Sequence, residues 1–197
     1  QVRKQRTQHR QRRVRTGIPV VSLVGYTNAG KSSVLNKLSK SGVVARNQLF
    51  STLDPVTRKV LLKDGTYVLF TDTVGFIQKL PTSLIAAFRA TLEELQEAVV
   101  LLHVVDISHR NAAQHVEVVE KILKDLNLTS KPRILALNKA DLLDSDLSSS
   151  FLTEIGGATA VLTSTESGLG LDDLLEALED VVDVGNDTEA SPAIRVS

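Results

Sequence analysis

The fold of this 197-residue chain is decided by the stretch Gly25-Tyr26-Thr27-Asn28-Ala29-Gly30-Lys31-Ser32, which matches the pattern G-x-x-x-x-G-K-[ST]. Residues 19–24 precede it with the apolar run of a buried strand, and residues 31–39 are predicted to form a short helix. Glycines at both ends let backbone N–H groups turn inward around phosphate oxygens, and a helix N-terminus adds partial positive charge. A chance glycine loop is the alternative, but the strand–loop–helix context favours a phosphate-binding loop.

Two side chains of this loop are candidates for nucleotide chemistry. Lys31 would reach the β- and γ-phosphates, and the hydroxyl of Ser32 would ligate Mg²⁺. The pattern therefore predicts a bound nucleotide with its metal ion.

A second motif, Asp72-Thr73-Val74-Gly75, directly follows the predicted strand 67–71. An aspartate just past a strand end can hold Mg²⁺ through water, and a glycine N–H can meet the γ-phosphate. The pattern D-x-x-G is weak by itself, because both residues are common in turns. Its position after a phosphate-binding loop favours the functional interpretation.

A third motif, Asn138-Lys139-Ala140-Asp141, stands at the end of another apolar strand. A carboxylate at this place can accept hydrogen bonds from N1–H and the 2-amino group of guanine. Adenine has no matching donors and would leave Asp141 unpaired, so discrimination should be steep. Lys139 can lay its methylene groups on the plane of the base. The alternative is a turn in which Asp141 caps a helix, but the order of the three motifs favours a guanine nucleotide.

Short apolar runs alternate with segments of helical period along the rest of the chain. This alternation predicts a three-layer α/β fold, with a mostly parallel six-stranded sheet between helices and one antiparallel strand in a hairpin around Asp64-Gly65. The other predicted strands are 58–63, 67–71, 99–105, 133–137 and 160–163, and the other predicted helices are 82–98, 111–125 and 171–182.

Composition excludes several classes of protein. The chain has no cysteine, so it has no disulfide framework, cysteine-ligated zinc or cysteine nucleophile. Apolar runs fall short of the ~20 residues that a membrane span needs, and no secretory segment follows the N-terminus. We therefore expect a soluble, globular protein without a membrane partner.

The net charge of zero hides an asymmetry. Residues 1–16 hold seven of the 23 lysine and arginine residues and no acid, which leaves 16 basic against 23 acidic residues in the remainder. We expect a basic arm over 1–16, a nucleotide-binding domain over 17–184 and a flexible tail over 185–197. A chain that opens on Gln and lacks Met is expected to be a fragment or a processed form.

The three motifs, in this order, resemble the translation-factor-related class of P-loop GTPases. Within that class, the motif at 25–32, the run Asn-Gln-Leu-Phe-Ser-Thr-Leu-Asp-Pro at 47–55 and Asp-Thr-Val-Gly-Phe-Ile at 72–77 resemble the HflX family. So does the stretch from Leu80-Pro81 to Leu92. The resemblance covers about residues 3–182. It implies a Mg²⁺-dependent GTPase domain of a monomeric, ribosome-associated factor that binds the large subunit and its RNA and splits stalled or idle ribosomes. It also implies a further N-terminal domain and a bacterial cytoplasmic or organellar location.

The resemblance also assigns site residues that spacing alone does not. Thr52 matches a threonine that ligates Mg²⁺ in the GTP state, within the segment Phe50, Ser51, Thr52, Leu53 and Asp54. Ser164, Thr165 and Glu166 match the loop whose backbone N–H contacts guanine O6. Thr165 replaces the usual alanine, and Ser33 replaces a commoner threonine with no expected effect. Lys31, Thr52 and Gly75 are the predicted catalytic residues, and Ser32, Thr52 and Asp72 the predicted metal ligands.

Two positions bear on the rate of hydrolysis. Many GTPases place after D-x-x-G a glutamine that orients the attacking water, and this chain has Phe76, so slow turnover in isolation is expected. Asn28 resembles the asparagine that holds K⁺ beside the phosphates in potassium-activated relatives. An Asx turn that tightens the loop is an equal alternative for Asn28.

The basic arm also has two interpretations. It could bind ribosomal RNA phosphates through a salt-dependent, sequence-independent interaction. It could instead end a helical segment that leads to the N-terminal domain, which the family layout favours. The two roles are compatible.

Three functions are compatible with these motifs. The first is a GTPase that acts as a timer on the ribosome, and the second is a nucleotide-dependent binding switch with incidental hydrolysis. The third, a P-loop kinase, would have little use for the motif at 138–141. We expect the first.

Overall fold

The structure, a computed structural model, describes residues 17–39, 56–73, 75–76, 95–143 and 159–189, with side chains as far as 182. Within these residues six strands form one sheet in the order β2-β3-β1-β4-β5-β6. The strands are β1 Val20–Val24, β2 Val56–Leu61, β3 Tyr67–Asp72, β4 Val100–Asp106, β5 Arg133–Asn138 and β6 Thr159–Leu162. The helices are α1 Lys31–Leu38, α2 Ala112–Asp125 and α3 Leu171–Glu189.

The pairing of the strands confirms the predicted mixed sheet. β2 and β3 are antiparallel, while β1 pairs with β3 and β4 in parallel, and β5 is parallel to both β4 and β6. The chain leaves β1 for β3 on one side and returns to β4 on the other. The carboxyl end of β1 is therefore the point where strand order reverses, which is where open α/β sheets bind ligands.

Helices cover both faces of the sheet, because the strands are apolar on both faces. All five residues of β1 are buried, and so are six of the seven in β4. One face packs against α1 and α3, through Val34 and Leu35 and through the predicted stripe Leu174, Leu178 and Val182. The other face packs against α2, through Val119 and Leu123. These two cores give the three layers.

His103 lies inside β4 and is a core residue, as its apolar surroundings suggest. Its side chain is 1% exposed, and Nδ1 lies 3.9 Å from the carboxylate of Glu120. Burial lowers the pKa of His103 to about 3, and the positive charges of Arg133 and Lys31 contribute to that shift. The imidazole is therefore neutral near pH 7.

The hairpin differs from its predicted boundaries. Strand β2 covers Val56–Leu61 rather than 58–63, because the turn uses Leu62–Thr66. The N–H of Leu62 donates to the carbonyl of Thr66 at 2.9 Å, and the Thr66 N–H donates to the Asp64 carboxylate at 2.8 Å. These bonds close the turn and move the end of the strand toward the N-terminus.

Helix α3 continues to Glu189, whereas the sequence pattern predicts an end at Val182 and an aperiodic tail from 185. No proline lies between Leu171 and Pro192, and a single glycine, Gly185, costs a helix only about 1 kcal/mol. The start of the predicted tail is therefore helical. The division of the chain into arm, domain and tail stays a prediction.

Several predictions fall on residues outside the described ranges. They are the arm 1–16, the segment from Phe50 to Asp54 with Thr52, Val74, and most of the helix predicted at 82–98, of which only residues 95–97 are described as helical. In the described part of the chain, no helix is both long enough and apolar enough to cross a membrane.

Candidate functional site

The glycines of the loop between β1 and α1 permit backbone packing that no other residue allows. Gly25 has φ 150°, and a Cβ there would overlap the carbonyl oxygen of Val104 in β4. Gly30 has φ 101°, and a Cβ there would overlap the side-chain amide of Asn138. Both positions therefore need glycine for conformation and for space. The loop wraps closely around the N-terminus of α1, as a phosphate-binding loop does.

Lys31 is the first residue of α1, and its side chain turns back into the loop. The ammonium Nζ donates to the carbonyls of Gly25 at 3.3 Å and Tyr26 at 3.2 Å. Burial lowers the pKa of Lys31 to about 8, and the negative charge of Asp72 opposes part of that shift. A buried cation held by two carbonyl oxygens is poised to exchange them for an anionic ligand, since a phosphate would offset its desolvation.

Ser32 and Asp72 come together at the carboxyl edge of the sheet. The hydroxyl of Ser32 donates to the Asp72 carboxylate at 2.5 Å, and Asp72 is 2% exposed. The neighbouring Thr73 hydroxyl donates to the carbonyl of Leu23, which ties the end of β3 to β1. A hydroxyl and a carboxylate are hard oxygen donors of the kind that Mg²⁺ prefers. These two predicted ligands therefore fit a magnesium ion that completes its shell with phosphates and water.

Gly75 and Phe76 lie directly against the phosphate-binding loop. A Cβ at Gly75 would be 2.8 Å from Cα of Thr27 and 3.1 Å from Nζ of Lys31. The Thr27 N–H donates to the carbonyl of Phe76 at 2.9 Å, and the Phe76 N–H donates to that of Gly25 at 3.0 Å. The backbone after β3 is thus bonded to the loop beside Lys31, as a γ-phosphate contact by Gly75 requires.

The side chain of Phe76 points away from this site. It is fully buried in the core beneath α2, with Leu95, Leu101 and Val119 among its neighbours. A buried phenyl ring can neither donate nor accept a hydrogen bond to water. The position after D-x-x-G is therefore used for packing.

Asn138 joins the phosphate-binding loop to a second loop at the end of β6. Its amide nitrogen donates to the carbonyl of Ala29 at 3.1 Å, and its amide oxygen accepts from the Thr165 N–H at 3.3 Å. The side chain is fully buried, so each lost bond would leave a buried polar group unpaired. Asn138 therefore fixes the separation between the loop for phosphates and the loop predicted to hold the base.

Asp141 and Ser164 form the edge of that second loop. The Ser164 hydroxyl donates to the Asp141 carboxylate at 2.5 Å and accepts from the Ser167 N–H at 3.1 Å. Asp141 is exposed, and one of its carboxylate oxygens, Oδ2, is not used by Ser164. This arrangement orients a carboxylate with spare acceptor capacity, which is what recognition of two N–H donors on one base edge needs.

Lys139 takes the left-handed conformation, with φ 65°, and points its side chain to Asp106. Nζ of Lys139 lies 2.6 Å from the carboxylate of Asp106, which also accepts from the Ser108 hydroxyl at 2.6 Å. Sequence reasoning missed Asp106, although it ends β4 beside Asn138 at the end of β5. The rule that carboxyl ends of parallel strands share one edge could have identified it.

The structure brings together the predicted residues that it describes. Around the phosphate-binding loop these are Gly25, Tyr26, Thr27, Asn28, Ala29, Gly30, Lys31, Ser32, Asp72, Thr73 and Gly75, and around the second loop Asn138, Lys139, Asp141, Ser164 and Thr165. Ser33 lies in α1, and Glu166 is exposed beside Thr165. Phe50, Ser51, Thr52, Leu53, Asp54 and Val74 are outside the described residues, so their roles stay predictions.

The fold and this arrangement of loops define a P-loop GTPase domain. Residues 20–139 match the model of the family described as 50S ribosome-binding GTPase. The chain belongs to that family and, within it, to the HflX GTPases.

Curated relatives support this assignment. The chain is 45% identical over 179 residues to GTPase HflX of Caldanaerobacter subterraneus subsp. tengcongensis, covering 91% of this chain and 40% of the relative. It is 41% identical over 177 residues to GTPase HflX of Escherichia coli K12, covering 90% of this chain and 42% of the relative. The chain thus spans about two fifths of the length of these relatives.

Solved structures share the fold. A point variant of Aquifex aeolicus Era, solved bound to GDP·AlF4⁻, superposes with a TM-score of 0.72 at 25% identity, covering 83% of this chain and 56% of that one. A point variant of S. thermophilus NFeoB, also bound to GDP·AlF4⁻, gives a TM-score of 0.68 at 22% identity, covering 84% of this chain and 64% of that one. These similarities confirm the predicted six-stranded α/β architecture.

The buried ammonium of Lys31 leads to a prediction about stability. Its native pKa of about 8 lies below the ordinary value of 10.5, so the unfolded chain binds more protons between these values. The nucleotide-free protein should therefore gain stability as the pH rises through that window. Lys31→Met should raise the free energy of unfolding at pH 7 by up to roughly 3 kcal/mol, and it should abolish GDP binding.

Urea denaturation at pH 7 and at pH 10, with calorimetric titration of GDP, checks this. The difference in the free energy of unfolding between Lys31→Met and the wild type should be smaller at pH 10 than at pH 7. A Met variant that is less stable than the wild type at pH 7 would contradict the buried-cation interpretation.

Proposed function

We propose that this domain binds GTP with Mg²⁺ and hydrolyses it slowly, and that it is the nucleotide-hydrolysing domain of a ribosome-associated factor. The observation that carries the proposal is the Asn138 amide, which joins the loop holding Lys31 to the loop holding Ser164. Its two bonds set a fixed distance between a site for phosphates and a carboxylate for guanine. A site that bound only phosphates would not need the loop that holds Ser164, so the second loop supports binding of a base as well.

Different residues of the site would contact the phosphates, the metal ion and the base. Backbone N–H groups of the loop and Lys31 would hold the β- and γ-phosphates, and Gly75 would meet the γ-phosphate through its N–H. Ser32, Asp72 and Thr52 would hold Mg²⁺, which neutralises charge on the phosphates when it is bound. Asp141 would accept from the guanine N1–H and 2-amino groups, while Lys139 would cover the face of the base.

Slow hydrolysis follows from the position of Phe76. Because its ring is buried against Leu95 and Val119, the side chain after D-x-x-G leaves the attacking water unoriented. The missing contact would then come from a partner, and the family description points to the large ribosomal subunit. Binding to that subunit and its RNA, with splitting or rescue of ribosomes as the outcome, is the activity that we propose for the whole protein.

Turnover measured with and without ribosomal subunits tests this proposal. The isolated protein should hydrolyse GTP well below the ~1–100 s⁻¹ of efficient phosphoryl-transfer enzymes. Large subunits should stimulate it at least about tenfold, which corresponds to ~1.4 kcal/mol of barrier. Small subunits provide the control and should have little effect. Fast turnover without a partner would overturn the role of Phe76.

A second function, a nucleotide-dependent binding switch with incidental hydrolysis, is favoured by the same buried ring. It predicts that large subunits bind the protein more tightly with a non-hydrolysable GTP analogue than with GDP and do not stimulate turnover. Co-sedimentation in the two nucleotide states, beside the turnover assay, separates the two functions.

Asn28 is the candidate for a dependence on potassium. It is exposed in the phosphate-binding loop with φ 63°, a conformation that asparagine tolerates better than most residues. If its side chain holds K⁺ beside the phosphates, GTP turnover should be faster in KCl than in NaCl at equal ionic strength, and Asn28→Ala should remove the difference. Equal rates in both salts would leave Asn28 with a conformational role only.

We propose that the basic arm leads to a preceding domain, as the family layout favours, and that it also contacts RNA. Its seven basic residues within 1–16 contrast with an acidic remainder, so RNA affinity should depend on the arm. Deleting residues 1–16 should weaken RNA binding at low salt and flatten its dependence on salt concentration. If the deletion left RNA affinity unchanged at low salt, the arm would not bind RNA, and its role would be to connect this domain to a preceding one.

A further inference from the structure

Tyr26 is a residue of the phosphate-binding loop whose backbone makes several contacts at once. Its carbonyl accepts from Nζ of Lys31 at 3.2 Å and from the Ala29 N–H at 3.2 Å. Its backbone also forms a parallel bridge with Phe76. The position of Tyr26 therefore affects both the catalytic lysine and the backbone that follows β3.

The ring of Tyr26 is stacked on His115 of helix α2. The two ring centroids are 3.8 Å apart and the planes differ by 3°, which is a close, face-to-face contact. Aromatic pairs in their preferred offset or edge-to-face arrangements contribute about 0.5–1.5 kcal/mol beyond the area that they bury, and we take this as the upper range for a parallel stack. Besides the hydrogen bonds from Asn138 and from the backbone of Phe76, the loop is thus held by the ring of Tyr26 against helix α2.

Helix α2 is a firm support for this contact. The His115 N–H donates to the carbonyl of Asn111 at 3.0 Å in the first turn, and Val119 and Leu123 of the same helix are fully buried against the sheet. His115 itself is partly buried. Movement of the Tyr26 ring would therefore have to break the stack, because the helix cannot follow it without disturbing the core.

His109 completes the column of rings on the outer side. Its centroid lies 4.5 Å from that of His115 with the planes tilted by 33°, and its Nδ1 accepts from the Asn111 N–H at 3.1 Å. Burial lowers the pKa of His115, His109 lowers it further, and Asp106 opposes the shift. His115 is therefore neutral near pH 7 and presents a flat, uncharged face to Tyr26.

We propose that His115 is a positioning residue for the nucleotide site, which holds Tyr26 so that the backbone of the phosphate-binding loop keeps the geometry that receives phosphate. The inference rests on the proposed GTP binding and adds to it a residue outside all three sequence motifs. A loop that is held in one conformation before binding keeps a larger competent fraction, and apparent affinity scales with that fraction. Loss of the stack should therefore weaken nucleotide binding without touching any group that contacts the nucleotide.

The test compares His115→Ala with His115→Phe, which keeps a flat ring for Tyr26 to stack on. Calorimetric titration with GDP should show affinity about two- to twelvefold weaker for His115→Ala, the factor that corresponds to the ~0.5–1.5 kcal/mol of an aromatic pair. His115→Phe should restore affinity to within about twofold of the wild type on the same scale. Gln114→Ala, an exposed neighbour on α2, is the matched control and should bind GDP like the wild type.

Tyrosine fluorescence adds a readout specific to the stack. The chain has two tyrosines and no tryptophan, so Tyr67→Phe leaves Tyr26 as the sole strong emitter. In that background, His115→Ala should change the emission of Tyr26 and its response to GDP, whereas Gln114→Ala should not.

The outcomes separate this inference from the proposed function. Wild-type protein that does not bind GDP would contradict the proposed function, and the positioning role with it. Wild-type binding that His115→Ala leaves unchanged, with or without a lower melting temperature, would overturn the positioning role alone.

Discussion

The site depends on one buried side-chain amide, that of Asn138. It spans the phosphate-binding loop at Ala29 and the loop after β6 at Thr165, with one hydrogen bond to each. Both partners are backbone groups of turns that the sheet itself does not pair. Since leaving one buried polar group unpaired costs about 1–3 kcal/mol, this amide stabilises the relative position of the two loops. The Asn138 amide also lies against Gly30, which leaves no space for a Cβ at that position.

The parallel sheet brings the two loops within reach of each other. β1, β3, β4, β5 and β6 run in one direction, so the polar residues that follow them, from Gly25 to Ser164, gather at one edge. Apolar strands covered on both faces keep that edge rigid, and the reversal of strand order at β1 opens the crevice there. Phe76 links this edge to the core beneath α2, since its backbone bonds to Gly25 and Thr27 while its ring packs with Val119.

Much of this architecture could be predicted from sequence, and the reasons are physical. The apolar run of β1 followed by the glycines of the loop at 25–32 is typical of a buried strand that leads into a phosphate-binding loop. The stripe Leu174, Leu178 and Val182 has the period of a buried helix face. The three motifs identified the residues of the phosphate-binding loop together with Asp72, Gly75, Asn138, Lys139 and Asp141, whereas Ser164 and Thr165 came from the family resemblance. Boundaries were less predictable, because the turn at Leu62–Thr66 is closed by particular hydrogen bonds and α3 continues past Gly185.

Contacts between elements far apart in sequence could not be predicted from local patterns. The ion pair of Lys139 with Asp106 and the stack of Tyr26 on His115 depend on strand order and on the seating of α2, which no spacing rule specifies. The same is true of the ring of Phe76, for which the sequence indicated only the absence of glutamine. Tertiary packing decides such contacts, and it becomes visible only once the sheet is assembled.

We propose that the two loops joined by Asn138 form one site for a guanine nucleotide. Calorimetric titration of the protein with GDP and with ADP, in the presence of Mg²⁺, tests whether they do. We expect saturable binding of one GDP, and discrimination against ADP by about 10⁴-fold, since ADP would leave the Asp141 carboxylate without its donors. Equal binding of the two nucleotides would contradict the role of the second loop, and binding of neither would contradict the site as a whole.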